Sequence, residues 1–170
     1  MSDFSTDFTT CHVDAWKKWL KPFTGEKNIN GIEVGCFEGQ SSKWFLDNVL
    51  TDPTSSLTCV DFRLNLTFAK TVRPYGSKVQ FYNVASNVGL HSLPMNHFDF
   101  AYVDGGHGAP NALEDAVLTW LALKKGGILI FDDYLKDYDS PKVQIDAFLS
   151  IYSEKLSIIA KCFQVCVVKK

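Results

Sequence analysis

The chain reads as an α/β protein built on a doubly wound, mostly parallel sheet that closes with an antiparallel hairpin. Three observations point there. Apolar segments of strand length alternate with segments of helical periodicity from residue 28 onward. Residues 98–103 (FDFAYV) form the apolar run expected of a strand covered by helices on both faces. Near the C-terminus, LSIIA from Leu156 and FQVCVV from Phe163 are too close together for a helical crossover. Parallel neighbours need a connection of roughly a dozen residues, so these two runs must pair antiparallel at one edge.

The elements follow in order. Residues 28–33 read as the first strand, and after a glycine turn residues 41–50 read as a helix turning Phe45, Leu46, Val49 and Leu50 inward. The second strand covers 57–61. A short helix over 64–72 must stop near Pro74, because proline disfavours helical geometry in the residue before it. Residues 79–82 are the third strand and 98–103 the fourth. The next helix repeats Leu113, Ala116, Val117, Trp120 and Leu121 on one face, with Lys124 and Lys125 at the negative end of its dipole and Gly126–Gly127 as its stop. Residues 128–131 are the fifth strand, and Ile145, Phe148, Leu149 and Tyr152 mark a helix after Pro141. Ahead of this core (28–170), residues 1–27 form a helical segment in which Val13, Trp16, Trp19 and Leu20 share a face, lying across the sheet edge or the ligand mouth.

Composition narrows the function classes. With 170 residues, 46% of them hydrophobic, the chain makes a single domain with a sizeable core. A formal net charge of −2 and a pI near 6.0 leave no broad basic surface for tracking phosphates, which argues against nucleic acid as the partner. No run of eighteen apolar residues and no apolar leader core occur, so a membrane role is not expected and the protein is expected to be soluble and cytoplasmic. The five cysteines are an odd number set mostly in apolar runs, as suits reduced thiols.

Two carboxylates and two glycines suggest a nucleoside-containing ligand. In IEVGCFEGQSS (32–42), an acid ends a strand, Gly35 and Gly39 follow four residues apart, and serines open a helix. Glycine lets the backbone approach a ligand closely, and the free amides of a helix start favour polar groups. Glu33 suits the ammonium of an amino-acid moiety. Asp61 ends the next strand 28 residues later, where doubly wound folds place the group that accepts hydrogen bonds from ribose hydroxyls.

IEVGCFEGQSS, CVDF and FAYVDGGHGAPNALEDAVLTWLALKKGGILIFDDY resemble the successive motifs of class I S-adenosylmethionine-dependent methyltransferases, especially the small metal-dependent O-methyltransferases with an aspartate-rich rim. The likeness runs from about Ile29 to the C-terminus and implies a Rossmann-like sheet of seven strands. It also implies that Glu33, Gly35 and Gly39 match the family's first motif, that Asp61 is the ribose acid, that Ser86 contacts adenine and that Asp104 belongs to the cofactor site.

At the carboxyl ends of the fourth and fifth strands stand Asp104, Asp132 and Asp133. Strands that pair lie roughly 4.8 Å apart, and like charges about 4 Å apart repel by about 4 kcal/mol at an effective dielectric of 20. A divalent cation would relieve this, and an all-oxygen set suits Mg2+, with Mn2+ or Ca2+ as substitutes. A turn and a helix cap with raised pKa values are the competing account. In the resembling enzymes these three positions ligate the ion.

His107, in VDGGHGAP, is the candidate proton acceptor, since imidazole titrates near neutrality, and Asp104 acts beside it. His12, His91 and His97 read as surface or loop residues. The function expected is metal-assisted O-methylation of a hydroxyl on a small molecule or sugar. Competing readings are an RNA 2′-O-methyltransferase, weakened because Asp132 stands where those enzymes carry lysine, a nicotinamide-dependent oxidoreductase, weakened by the lack of G-x-G-x-x-G, and a catalytically silent S-adenosylmethionine-binding module. Exposed aromatic surface at Trp16 and Trp19, with no long lid, suggests a homodimer.

Overall fold

The computed structural model describes residues 4–136 and 140–170. Strands β1 (Asn30–Val34), β2 (Ser56–Asp61), β3 (Val79–Asn83), β4 (Phe98–Val103), β5 (Leu123–Phe131), β6 (Leu156–Lys161) and β7 (Val165–Lys169) form one sheet in the order β3-β2-β1-β4-β5-β7-β6. The first five run parallel, and β7 inserts antiparallel between β5 and β6. The sheet therefore has the expected architecture, including the terminal hairpin. Because chain order reverses between β1 and β4, the carboxyl ends of these two strands open a crevice.

Helices α1 (Val13–Trp19), α2 (Gln40–Asn48) and α3 (Leu66–Val72) cover one face, where Trp16, Phe45, Leu46 and Phe68 are buried. Helices α4 (Ser86–His91), α5 (Asn111–Ala122) and α6 (Lys142–Ile151) cover the other, with Leu90, Trp120, Ile145 and Phe148 in the core. Side chains of β1 alternate between these layers: Ile32 and Val34 join the α5–α6 side, while Glu33 turns toward α2.

Three local expectations need correction. Helix α5 ends at Ala122, not at the glycine pair: Leu123 is fully buried and takes extended geometry, so the strand begins there and Lys124 to Gly127 lie within it. Gly126 takes φ +82, the β4–β5 register shifts between Phe98 and Phe100, and Lys124 reaches Asp99 at 2.7 Å instead of capping a helix. The short helix α4 has no counterpart among the expected elements, because six residues are too few for a periodic apolar pattern. Trp16 and Trp19 are only 0% and 7% exposed, which removes the aromatic surface from which a dimer was inferred. Both belong to the molecule's own core, where Trp16 packs against Phe45 and Tyr102.

Phe148 is fully buried between Trp120, Phe131 and Tyr152. Phe148→Ala is expected to lower stability by about 3–5 kcal/mol through lost burial and a residual cavity, measured as a shift in the urea midpoint with an unchanged slope.

Candidate active site

The crevice is built first by the turn after β1. Gly35 takes φ +83, and a Cβ there would lie 2.0 Å from the Asp104 carbonyl oxygen, so only glycine lets the β1 and β4 ends meet. Gly39 takes φ +80 at the start of α2, where a Cβ would press on the Phe68 ring at 2.9 Å. Asp61 ties down the loop between the two glycines. Its carboxylate accepts from the Cys36 and Phe37 amides at 2.8 and 3.1 Å, and from the Arg63 amide at 2.9 Å.

A cavity of about 380 Å³ opens over this loop, lined by Gly35, Phe37, Asp61, Phe62, Ser86 and Asp104 among others. It gathers four of the six residues expected to hold the cofactor. Glu33 lies beneath it, fully buried, with its two oxygens accepting from the hydroxyls of Ser41 and Ser42. Strand geometry explains this: Glu33 stands two residues before the turn, on the face of the sheet and not at its end. Burial pushes its carboxyl up to about 8, against the lowering effect of the two serines.

A second cavity, of about 500 Å³, adjoins the first, and Phe37 and Asp104 line both. Its walls include Asp104, His107, Asp132 and Asp133, so pairing of β4 with β5 brings the expected rim together. His107 Nε2 lies 3.2 Å from an Asp133 oxygen and 3.8 Å from one of Asp104. One ligand atom each from Asp104, His107 and Asp133 lies within 4.8 Å of the others. Asp133 takes φ +56, a left-handed conformation that aspartate tolerates, and this turns it toward His107 and Lys136.

Asp132 is held differently. Its oxygens accept from the Tyr102 hydroxyl, from Gln164 Nε2 at 3.0 Å and from the Asp133 amide at 2.8 Å. Gln164 in turn accepts from the Trp16 indole at 2.9 Å, tying the rim to α1 through the core. Crowding has its expected electrostatic effect. Burial in the mouth, followed by repulsion from Asp132 and Asp133, lifts Asp104 to about 7, opposed by His107. His107 is raised in turn, chiefly by its contact with Asp104 and against the desolvation it suffers.

The N-terminal segment supplies residues that sequence reasoning missed. Residues 4–12 form a strap over the glycine loop: the Ser5 amide donates to Glu38 at 2.8 Å, the Phe8 amide to Gln40 at 2.8 Å, and the Phe8 ring meets Phe37 edge-on. Phe8 and His12 thereby line the second cavity. His12, in the turn before α1, is half-buried. It stacks between Trp16 and Phe163 and lies 3.9 Å from Asp132. No local pattern marks it, since its partners lie 4, 120 and 151 residues away in the chain.

Glu33 also sets a pH dependence. The unfolded chain ionises this carboxyl near 4.5, so from there to about 8 the folded state holds a proton that the unfolded state lacks. The group's stabilisation is complete below the unfolded value and lost as pH rises through the folded one. Glu33→Gln is expected to flatten the decline of melting temperature between pH 4.5 and 8, as read by calorimetry across that range.

A methyltransferase-domain family model matches residues 32–134. An uncharacterised protein of Acanthamoeba polyphaga mimivirus is 32% identical over 135 residues, covering 71% of this chain and 58% of that protein, so the chain spans less than two thirds of its relative. Among solved structures, the O-methyltransferase TomG of Streptomyces achromogenes, in complex with S-adenosylmethionine, superposes with TM-score 0.71 at 15% identity, over 94% of this chain and 77% of its own. MycE, from the mycinamycin biosynthetic pathway and in complex with Mg, S-adenosylhomocysteine and mycinamycin VI, superposes with TM-score 0.72 at 11% identity, over 96% and 50%. No helix among the described residues is long and apolar enough to cross a membrane. The sheet order, the matched segment and the glycine turn at its head agree: the chain belongs to the methyltransferase-domain family and has the class I, S-adenosylmethionine-dependent methyltransferase fold.

Proposed function

We propose that the chain transfers the methyl group of S-adenosylmethionine to a hydroxyl of a small molecule. The observation that carries this reading is the pair of adjoining cavities that share Asp104, one built on the glycine loop and Asp61, the other holding His107. In the first, Asp61 receives the ribose hydroxyls, Ser86 borders the adenine, and Gly35 and Gly39 let the backbone follow the ligand. Asp104 faces the amino-acid ammonium. Glu33 contributes from below by fixing Ser41 and Ser42 at the start of α2.

Sulfonium methyl transfer is an in-line displacement that needs little activation of the donor, so the protein's task is to orient the acceptor and remove its proton. His107 takes that proton, with Asp104 and Asp133 stabilising the imidazolium that results. The carboxylates of Asp104 and Asp133 would be oxygen donors for a divalent cation such as Mg2+, with Asp132 completing the rim through the lone-pair capacity that its three hydrogen bonds leave and His107 outside the set as the base. A bound cation supplies a lowered pKa and a fixed direction for an acceptor hydroxyl. The acceptor enters past Phe8, Phe37 and Phe163, which offer flat apolar contact beside the acidic rim. That lining suits a small organic hydroxyl compound better than an RNA backbone, whose phosphates the rim acids repel.

Methyl transfer to a panel of hydroxylated small molecules, with and without chelator, tests the reading. Asp104→Asn is expected to abolish activity, and full activity of that variant in chelator would remove the metal. His107→Gln is expected to lower kcat by roughly 10²–10⁴-fold. Because His107 is raised above 6.5, the unaltered protein's kcat/KM should climb with pH through a value above 6.5, and this limb should vanish in the variant.

A further inference from the structure

The proton acceptor sits on a segment that cannot hold itself still. His107 follows Gly105 and Gly106 and precedes Gly108, and glycine leaves the backbone more conformations than any other residue. Packing forbids a stiffer choice at 105: a Cβ there would lie 2.8 Å from a carboxylate oxygen of Asp115, a buried acid whose oxygens have no hydrogen-bond partner among the described residues. At Gly106 a Cβ would come 3.3 Å from the Asn111 amide nitrogen. A small cavity bordered by Gly105, Gly106, His107, Phe131 and Ile145 leaves further room beside the loop. Yet a working base must be held to within about 0.5 Å of its productive position. A restraint from outside the loop is needed.

Gln144 supplies one. It is the third residue of α6, and its side-chain amide donates from Nε2 to the His107 carbonyl oxygen at 3.3 Å, across 37 positions of sequence. A glutamine at this helical position ordinarily reaches back to the backbone amide of the capping residue. Here the cap is Pro141, which has no N–H, so the side chain turns to the loop instead. Stability does not account for the choice of residue. Oε1 of the same amide is buried without a partner among the described residues, and an unmet buried acceptor destabilises the fold. Methionine, unbranched and as adaptable, would leave no such orphan. Resting on the reading of His107 as the proton acceptor, we propose that Gln144 is a positioning residue for methyl transfer: through the His107 carbonyl it fixes the base loop against α6, and so holds the imidazole beside Asp104 and Asp133 at the acceptor cavity.

Replacing Gln144 by methionine separates a hold on the base from a support of the fold. Gln144→Met should melt at the temperature of the unaltered chain or above it, because the orphan oxygen is gone, and should bind S-adenosylhomocysteine equally well in calorimetric titration. The Cε1–H resonance of His107, identified by its absence from His107→Gln, should broaden or split at fixed pH, while those of His12, His91 and His97 keep their positions. Turnover of the hydroxylated panel should fall by about 10–100-fold in kcat with KM for S-adenosylmethionine unchanged, the scale of a displaced catalytic group. Gln144→Asn, one methylene too short to reach, should loosen His107 in the same way and keeps the test decisive if the methionine variant fails to fold. A His107 resonance unmoved in both variants overturns the inference, whether or not the panel contains an acceptor. So does a lowered melting temperature with shifts at all four histidines, which would make Gln144 a support of α6 alone. Full turnover by His107→Gln removes the base reading and this inference with it, whereas loss of turnover there beside full turnover by Gln144→Met overturns the positioning role alone.

Discussion

Where β1 and β4 end, two stretches of backbone meet more closely than side chains allow. Gly35, at φ +83, passes so near the Asp104 carbonyl that any Cβ would overlap it, and the Asp104 amide donates to the Val34 carbonyl at 2.8 Å. This contact makes one site from two halves. It brings the glycine loop, with Asp61 bracing it, against the strand end that carries Asp104 and His107. Without it the ligand cavity and the acidic rim would be neighbouring clefts with no shared wall.

A second constraint holds the rim to the core. Tyr102, Gln164 and the Asp133 amide all donate to Asp132, and Trp16 donates to Gln164. Four elements distant in sequence are thereby joined through one buried carboxylate, and a satisfied buried network of this kind rigidifies what it joins. Tyr102 is raised well above the usual tyrosine range by burial and by the acids around it, so it stays a donor. The rim's repulsion falls instead on Asp104, which lines both cavities, while His107 lines the second and is held toward its charged form by the same acids.

Much of the site was readable from the chain because its parts sit at strand ends, and strand ends are marked locally. FDFAYV followed by an aspartate, and GGILIF followed by two, declare their own boundaries, so Asp104, Asp132 and Asp133 fall at the carboxyl edge once the strands are parallel neighbours. The hairpin was equally legible, since chain length alone forbids a crossover between its strands. Glu33 stands two residues before the turn, and the pleat, which its acidity does not reveal, turns it under α2. The glycines at 126 and 127 read as a helix stop, yet the burial of Leu123 ended the helix earlier.

Periodicity and spacing were sufficient for the layered sheet, its terminal hairpin and the acids along its edge, because each strand, its end and the length of its connection are marked locally in the sequence. The strap over the loop, the stacking of His12 between Trp16 and Phe163, and the unsatisfied carboxylate of Asp115 behind Gly105 belong to folding alone. Their partners are brought together by the crossing of whole elements, and side-chain burial in that crossing, not residue type, decides which polar group is left facing a ligand.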